Sequence, residues 1–227
     1  MKNLNEIAFV VQARLNSKRV PQKMIRPFAG DTLFGIVLDK LLDCKNIPNE
    51  NIFASIYEDE LIEIVDNKPI SYFVRSKESA EEEDNLQLIY EWHDKLPAKY
   101  KYVVLISGCN PLLQINTIDR FIEKFVNQQE ENLFAVIEKR QYFWNKQGKM
   151  INDWPVGETI MNTKVIEPTY EAAHCLYASR LDTIKNNKFM VDFSKENLTL
   201  YTIPELESFD IDYEWQFKTA ELLYEKI

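Results

Sequence analysis

The residues with most chemical potential in this sequence form a run of cations. Arg14, Lys18, Arg19, Lys23 and Arg26 fall within thirteen residues that contain no Asp or Glu, although the chain's 36 acidic residues outnumber its 27 Lys and Arg. A guanidinium grips phosphate oxygens with parallel hydrogen bonds, and an ammonium is a mobile point charge that follows charge building on a leaving group. A polyphosphate suits such a cluster, although a solvated loop with ordinary surface pairing would have the same composition. Neither a GxGxxG nor a Walker A pattern is present, so backbone amides between glycines are not the main cradle. Near the other end, Ser208-Phe209-Asp210-Ile211-Asp212 sets two carboxylates two residues apart. In extended backbone, residues i and i+2 share a side, so Asp210 and Asp212 face one space while Ile211 packs inward. Such a pair fits Mg²⁺ (or Mn²⁺), a hard cation that touches substrate phosphates while keeping most of its waters. The plainer alternative is that Asp212 only caps the helix that follows and Asp210 is exposed.

These residues need a scaffold, and the composition allows one. With 227 residues, 45% of them hydrophobic, the chain has apolar material for one sizeable core or for a core with a small appended lobe, which excludes a disordered or fibrous protein. A net charge of −9 argues against a general binder of nucleic acid or anionic membrane. Cys44, Cys109 and Cys175 are odd in number and far apart, with no CxxC, which fits a reducing, cytoplasmic compartment. The apolar run Ile7-Ala8-Phe9-Val10-Val11 is too short for a signal-peptide core or a membrane span.

That same run, from Glu6 to Gln12, has the make-up of a buried central strand of a parallel sheet. From Asp31, a plausible cap, Leu33, Phe34, Val37, Leu38, Leu41 and Leu42 recur at helical spacing. The alternation continues with strands at Ile52 to Tyr57 and Tyr72 to Val74, a short helix at Leu61 to Val65, and a helix capped near Asp84 that carries Leu88, Ile89 and Trp92. Tyr102 to Ile106 is another buried-type strand. Ile118, Phe121, Ile122, Phe125 and Val126 form the clearest helical stripe, ahead of strand Leu133 to Ile137. Between Glu138 and Glu171 the periodicity breaks down, as in an inserted hairpin or lobe. A strand at Ala173 to Ala178, a helix from Ser179 to about Asn186, a strand at Leu198 to Ile203 and a last helix bearing Phe217, Ala220, Leu223 and Ile227 complete the chain. This is an α/β pattern, a mainly parallel sheet flanked by helices, in a single domain over 1–227 with 138–171 as insertion.

In open α/β sheets ligands sit beyond the carboxyl ends of the strands, where the basic loop begins. Ala13-Arg14-Leu15-Asn16-Ser17-Lys18-Arg19-Val20-Pro21-Gln22-Lys23 resembles the A-R-x-x-S-x-R-x-P-x-K signature of the acylneuraminate cytidylyltransferases (CMP-sialic acid synthetases), with CMP-KDO synthetases as a related branch. Gly30-Asp31-Thr32-Leu33 follows where that family steps into its first helix, and Asp210-Ile211-Asp212 resembles its I-D-I-D. The resemblance implies a Rossmann-like, GT-A-like nucleotidyltransferase domain with a small dimerisation arm at 138–171, hence a homodimer. It implies CTP and an acidic 2-keto sugar as substrates and Mg²⁺ on Asp210 and Asp212. Arg14, Ser17, Arg19 and Lys23 would hold the triphosphate, Lys23 and Arg14 acting catalytically, with Arg75 near the base.

The middle of the chain departs from the family. Ser107-Gly108-Cys109-Asn110-Pro111-Leu112 stands where CMP-sialic acid synthetases read Q-P-T-S-P-L-R, and it lacks the metal-binding Asp of the KDO branch. Asn110, Tyr170, Glu171 and His174 are the acceptor contacts that the resemblance implies; for His174 the alternative is a buried, hydrogen-bonded histidine. Three other readings stay in view: a metal-dependent glycosyltransferase, which also uses a DxD; a cytidylyltransferase-like enzyme for another sugar or a phosphorylated acceptor; and a non-catalytic nucleotide-binding homologue.

Overall fold

In the computed structural model, which describes residues 1–195 and 198–226, the apolar run after Glu6 is β1 (Ile7–Gln12) at the middle of the molecule. Its five apolar residues are wholly buried because helices cover both faces of the sheet. The chain continues through a hairpin, β2 (Pro27–Phe28) and β3 (Asp31–Thr32), into α1 (Leu33–Asp43), then β4 (Ile52–Ile56), α2 (Asp59–Asp66) and β5 (Ser71–Val74). Two short helices follow, α3 (Lys77–Glu81) and α4 (Leu86–Ile89), and a 3-10 turn at Glu91–Asp94 leads to β6 (Tyr102–Ser107). The remaining elements are α5 (Ile115–Asn127), β7 (Leu133–Lys139), β8 (Thr169–Arg180), α6 (Leu181–Lys185), β9 (Leu200–Thr202) and α7 (Glu214–Tyr224).

Seven strands form one sheet in the order β5-β4-β1-β6-β8-β7-β9. All neighbours run parallel except β8, which is antiparallel to both β6 and β7. The chain fills the β4 and β5 side first and then returns to the other side of β1, so the order reverses between β1 and β6. Such a reversal opens a crevice at the strand ends, and it lies where the basic loop leaves β1. Ile7, Phe9 and Val11 pack with α1, α2, α5 and α7 on one face, while Ala8 and Val10 pack with Trp92 and α6 on the other.

The expected α/β architecture is present, with local differences. Thr32, not Asp31, caps α1: its Oγ1 accepts the Gly35 N–H at 3.0 Å, and Asp31 belongs to the hairpin. The turn of that hairpin needs two positive φ angles, +47° at Ala29 and +91° at Gly30, which explains the glycine. The insertion is shorter than the expected 138–171, because Glu138 and Lys139 end β7 while Thr169, Tyr170 and Glu171 begin β8; the excursion proper covers 140–168. Ile227, expected on the last helix, lies outside the described residues. No helix among the described residues is long and apolar enough to cross a membrane.

Candidate active site

The loop after β1 is pinned at several points, which fixes where its cations stand. The Ala13 N–H donates to the Ser55 carbonyl at 3.1 Å, the Leu15 N–H to the Glu58 carboxylate at 2.8 Å and the Val20 N–H to the Ser17 hydroxyl at 3.3 Å. Val20 and Met24 are buried plugs beneath the loop. Arg14 donates to the Ala80 carbonyl at 3.0 Å and sits 3.6 Å from the Glu83 carboxylate, which also lies 3.3 Å from Lys18. Arg19 pairs with Asp212 at 2.5 Å and lies over the Tyr213 ring. Its guanidinium is raised further above its ordinary range, first by a hydrogen bond to the Tyr213 side chain and then by the Asp212 charge. Lys23 donates to the Ile211 carbonyl. Arg26 does not join them: it forms a two-pronged pair with Glu214 at 2.7 and 2.8 Å and stacks on Phe217, the ordinary pairing that composition alone left open.

Those contacts bring the two ends of the chain together. Ile211 is fully buried, and its N–H donates to the Cys109 carbonyl at 3.1 Å. Asn110, also buried, donates from its amide to the Ser208 carbonyl at 3.0 Å, so it braces the carboxylate segment. Asp212 is not the helix cap, because Gln216 Oε1 accepts the N–H groups of both Asp212 and Tyr213, at 2.8 and 2.7 Å. The Asp212 carboxylate is thereby left for Arg19. Asp210 is not exposed: its Oδ1 is buried and has no hydrogen-bond partner. Burial pushes its carboxyl above the usual carboxylate range and nearby Asp212 adds to this, while Lys23 and, more weakly, His174 and Arg19 oppose it. The Cys109 thiol is likewise pushed up by burial, against the pull of Lys23.

A cavity of about 760 Å³ opens over this junction. Arg14, Ser17, Lys18, Arg19, Lys23 and Asp212 line it together with Arg75, Gln12, Ile89, Tyr90, Leu105 and Tyr177. It therefore has cationic loop residues as well as apolar and aromatic ones, the mixture that suits a nucleotide's phosphates and base. Arg75 is buried, with Nε donating to the Ser79 hydroxyl at 3.1 Å, Nη2 to the Ser79 carbonyl and Nη1 to nothing. Burial and the neighbouring Arg14 lower its pKa to about 10, so it remains a cation at neutral pH.

The implied acceptor residues are more scattered. Tyr170 and Glu171 face β7 at Glu138 and Ile137, and Glu171 pairs with Lys139 at 3.5 Å; neither lines the cavity. His174 is exposed rather than buried. It sits where the β7 and β8 register shifts, at φ +53°, with Nδ1 2.9 Å from the Tyr177 hydroxyl. Such a bulge re-aims side chains, here setting the His174 ring against the Tyr177 hydroxyl. No group of three or more His, Cys, Asp or Glu able to hold a metal occurs among the described residues, and the carboxylates that line the cavity are Asp212, Glu82 and Glu83.

A mixed sheet with one reversed strand, a cationic loop at its reversal point and a DxD docked against that loop define a nucleotidyltransferase-type enzyme. The chain belongs to the cytidylyltransferase family, whose sequence model matches residues 8–227. It is 27% identical over 164 residues to the pseudaminic acid cytidylyltransferase of Campylobacter jejuni, a match spanning 66% of each chain, slightly under two thirds of that relative's length. Its fold is similar to that of a CMP:2-keto-3-deoxy-manno-octonic acid synthetase complexed with CTP, with a TM-score of 0.70 at 11% identity over 97% of this chain and 99% of that one. A cytidylyltransferase from Leptospira borgpetersenii gives a TM-score of 0.66 at 18% identity, covering 98% of this chain and 87% of that one. A 4-diphosphocytidyl-2C-methyl-D-erythritol synthase from Anaerococcus prevotii gives 0.68 at 12% identity, covering 98% and 97%.

The raised Asp210 carboxyl carries a stability prediction. A folded-state pKa above the unfolded value means that the native state binds the proton more tightly, so the ionised form costs stability at pH 7. Asp210→Asn is expected to raise the unfolding midpoint at pH 7.5 in chelator, and the gain should shrink as pH falls through the native Asp210 pKa. Thermal unfolding of both proteins across pH checks this; a variant less stable than the parent at pH 7.5 would contradict it.

Proposed function

We propose that this protein transfers CMP from CTP to an acidic 2-keto sugar, a nonulosonic acid of the sialic type, releasing pyrophosphate for surface-glycan biosynthesis in the cytoplasm. The observation that carries the reading is the junction itself, where Arg19 of the β1 loop pairs with Asp212 and Lys23 holds the carbonyl of Ile211, the residue between the two carboxylates, beside one cavity. Arg14, Lys18, Arg19 and Lys23 would hold the triphosphate, Ser17 lining the same wall and Arg75 offering its unpartnered Nη1 to the base. The anomeric hydroxyl of the sugar would attack the α-phosphorus, forming the sugar–phosphate bond as the bond to pyrophosphate breaks. Lys23 and Arg14 would then stabilise the charge growing on pyrophosphate, so the chain's contribution is positioning and electrostatics.

The carboxylates fit a hard divalent cation, since the buried Oδ1 of Asp210 has no partner and Asp212 stands beside it. Mg²⁺ held by Asp210 and Asp212 would offset the charge of the triphosphate. The relatives' names add support, because one acts on pseudaminic acid and another on an octonic acid. Tyr177 lines the cavity and its hydroxyl faces His174, which makes these two the acceptor-side candidates, while Tyr170 and Glu171 would contact the sugar only after rearrangement.

Homodimerisation through the 140–168 excursion is part of this reading. Trp144, Ile151, Trp154, Val156, Ile160 and Met161 are all exposed along it, an apolar density that a monomer rarely leaves in water.

Lys23→Ala is expected to lower turnover by about 10² or more in a pyrophosphate-release assay with CTP, Mg²⁺ and a panel of nonulosonic and octulosonic acids, the order of one lost transition-state contact. Unchanged turnover would remove Lys23 from the mechanism; release from none of the acids, despite CTP binding, would favour another acceptor or a non-catalytic role. Sedimentation of the Val156→Asp, Ile160→Asp double variant should show monomer where the parent sediments as dimer, and identical sedimentation would exclude the arm.

A further inference from the structure

Gln12 ends β1 on the face that carries Ala8 and Val10, where the buried cluster includes Trp92. Trp92 is wholly buried, and its indole Nε1 donates to Gln12 Oε1 at 3.0 Å. An indole N–H can only donate, so the atom facing it must be the carboxamide oxygen, which fixes which way the amide points. The Nε2 group, with two N–H donors, has no hydrogen-bond partner among the described residues, and Gln12 lines the cavity.

Trp92 is itself held in place. Tyr90 packs against it edge-on at 5.8 Å, and Glu91 accepts both the Ser76 N–H, at 2.6 Å, and the Ser76 hydroxyl, at 2.9 Å. The turn that orients Gln12 is therefore tied to the residue next to Arg75, which also lines the cavity and whose buried Nη1 has no hydrogen-bond partner. A neutral amide is a poor match for a triphosphate that four cations already face. It is a good match for a neutral acceptor.

We propose that Gln12, oriented by Trp92, reads the nucleotide base: its Nε2 donates to the O2/N3 acceptor edge of cytosine beside Arg75. Cytosine presents two adjacent acceptors there, whereas uracil presents a donor N3–H that meets a fixed donor unfavourably. The inference rests on the cytidylyl reading and deepens it. Trp92 acts as a positioning residue.

Gln12→Glu keeps an acceptor for the indole but removes both amide donors. Calorimetric titrations of the parent and this variant, each with CTP and with inorganic triphosphate in Mg²⁺, separate the possibilities. CTP affinity should fall about tenfold, the order of one lost hydrogen bond, and triphosphate affinity by less than twofold. Unchanged CTP affinity, or equal losses for both ligands, would overturn the role of Gln12, the latter marking a general charge effect. Should the carboxylate impair folding, the double variant Gln12→Met, Trp92→Phe removes both hydrogen-bonding partners and should show the same selective loss. A parent protein that does not bind CTP would refute the cytidylyl reading itself, whereas a parent that binds CTP and a variant that binds it equally would refute the base-reading role alone.

Discussion

Residues 208–212 reach across the end of the sheet and lock there by burying Ile211, and the site depends on that contact. The Ile211 N–H is satisfied by the Cys109 carbonyl and the Ile211 carbonyl by Lys23, so one buried aliphatic residue joins the turn after β6 to the loop after β1. Backbone groups taken out of water need such partners, and here the partners are pieces of the site. The flanking carboxylates have no choice of direction once Ile211 points inward. Asp210 goes into a buried niche where it lacks a hydrogen bond, and Asp212 turns to Arg19. A carboxylate held at a stability cost is what a functional site shows when it has been shaped for a ligand.

The rest of the fold keeps that junction rigid. Phe28 packs edge-on with Phe217 and Tyr224, at ring separations of 5.4 and 5.6 Å, which ties the β2–β3 hairpin to the last helix. Lys40, reaching from α1, donates to the carbonyls of Pro111 and Leu113 and so fastens the segment after Asn110. On the opposite face of the sheet, Tyr90, packed edge-on against the buried Trp92, lines the cavity. On the proposed reading the two helix-covered faces would serve different parts of one nucleotide, the α1, α5 and α7 side its phosphates and the Trp92 side its base.

Much of this was legible in the sequence because it is local. The cation run, the β-branched strand before it and the alternating carboxylates are each visible within about a dozen residues, and burial of Ile211 follows from the extended pattern. Less legible was anything settled by partners distant in sequence. Arg26 resembled its neighbours in the loop, yet Glu214, 188 residues away, claims it. Asp31 looked like a cap until the hairpin took it. The outer half of β8 reads as loop because Tyr170 and Glu171 are exposed, and pairing to β7 makes it strand. Gln12 is visible only as the polar residue closing an apolar run; its bond to Trp92, 80 residues on, gives it meaning.

Thermal unfolding with CTP, UTP, ATP and GTP, each with Mg²⁺, tests most directly whether the junction is a cytidylyl site. A nucleotide at 100 times its dissociation constant should stabilise the fold by about 2.7 kcal/mol, roughly 5–10 °C for a chain of this size. A shift of that order with CTP, and much smaller shifts with the other three, is the result the structure predicts. A larger shift with another nucleotide, or none with any of the four, would contradict it.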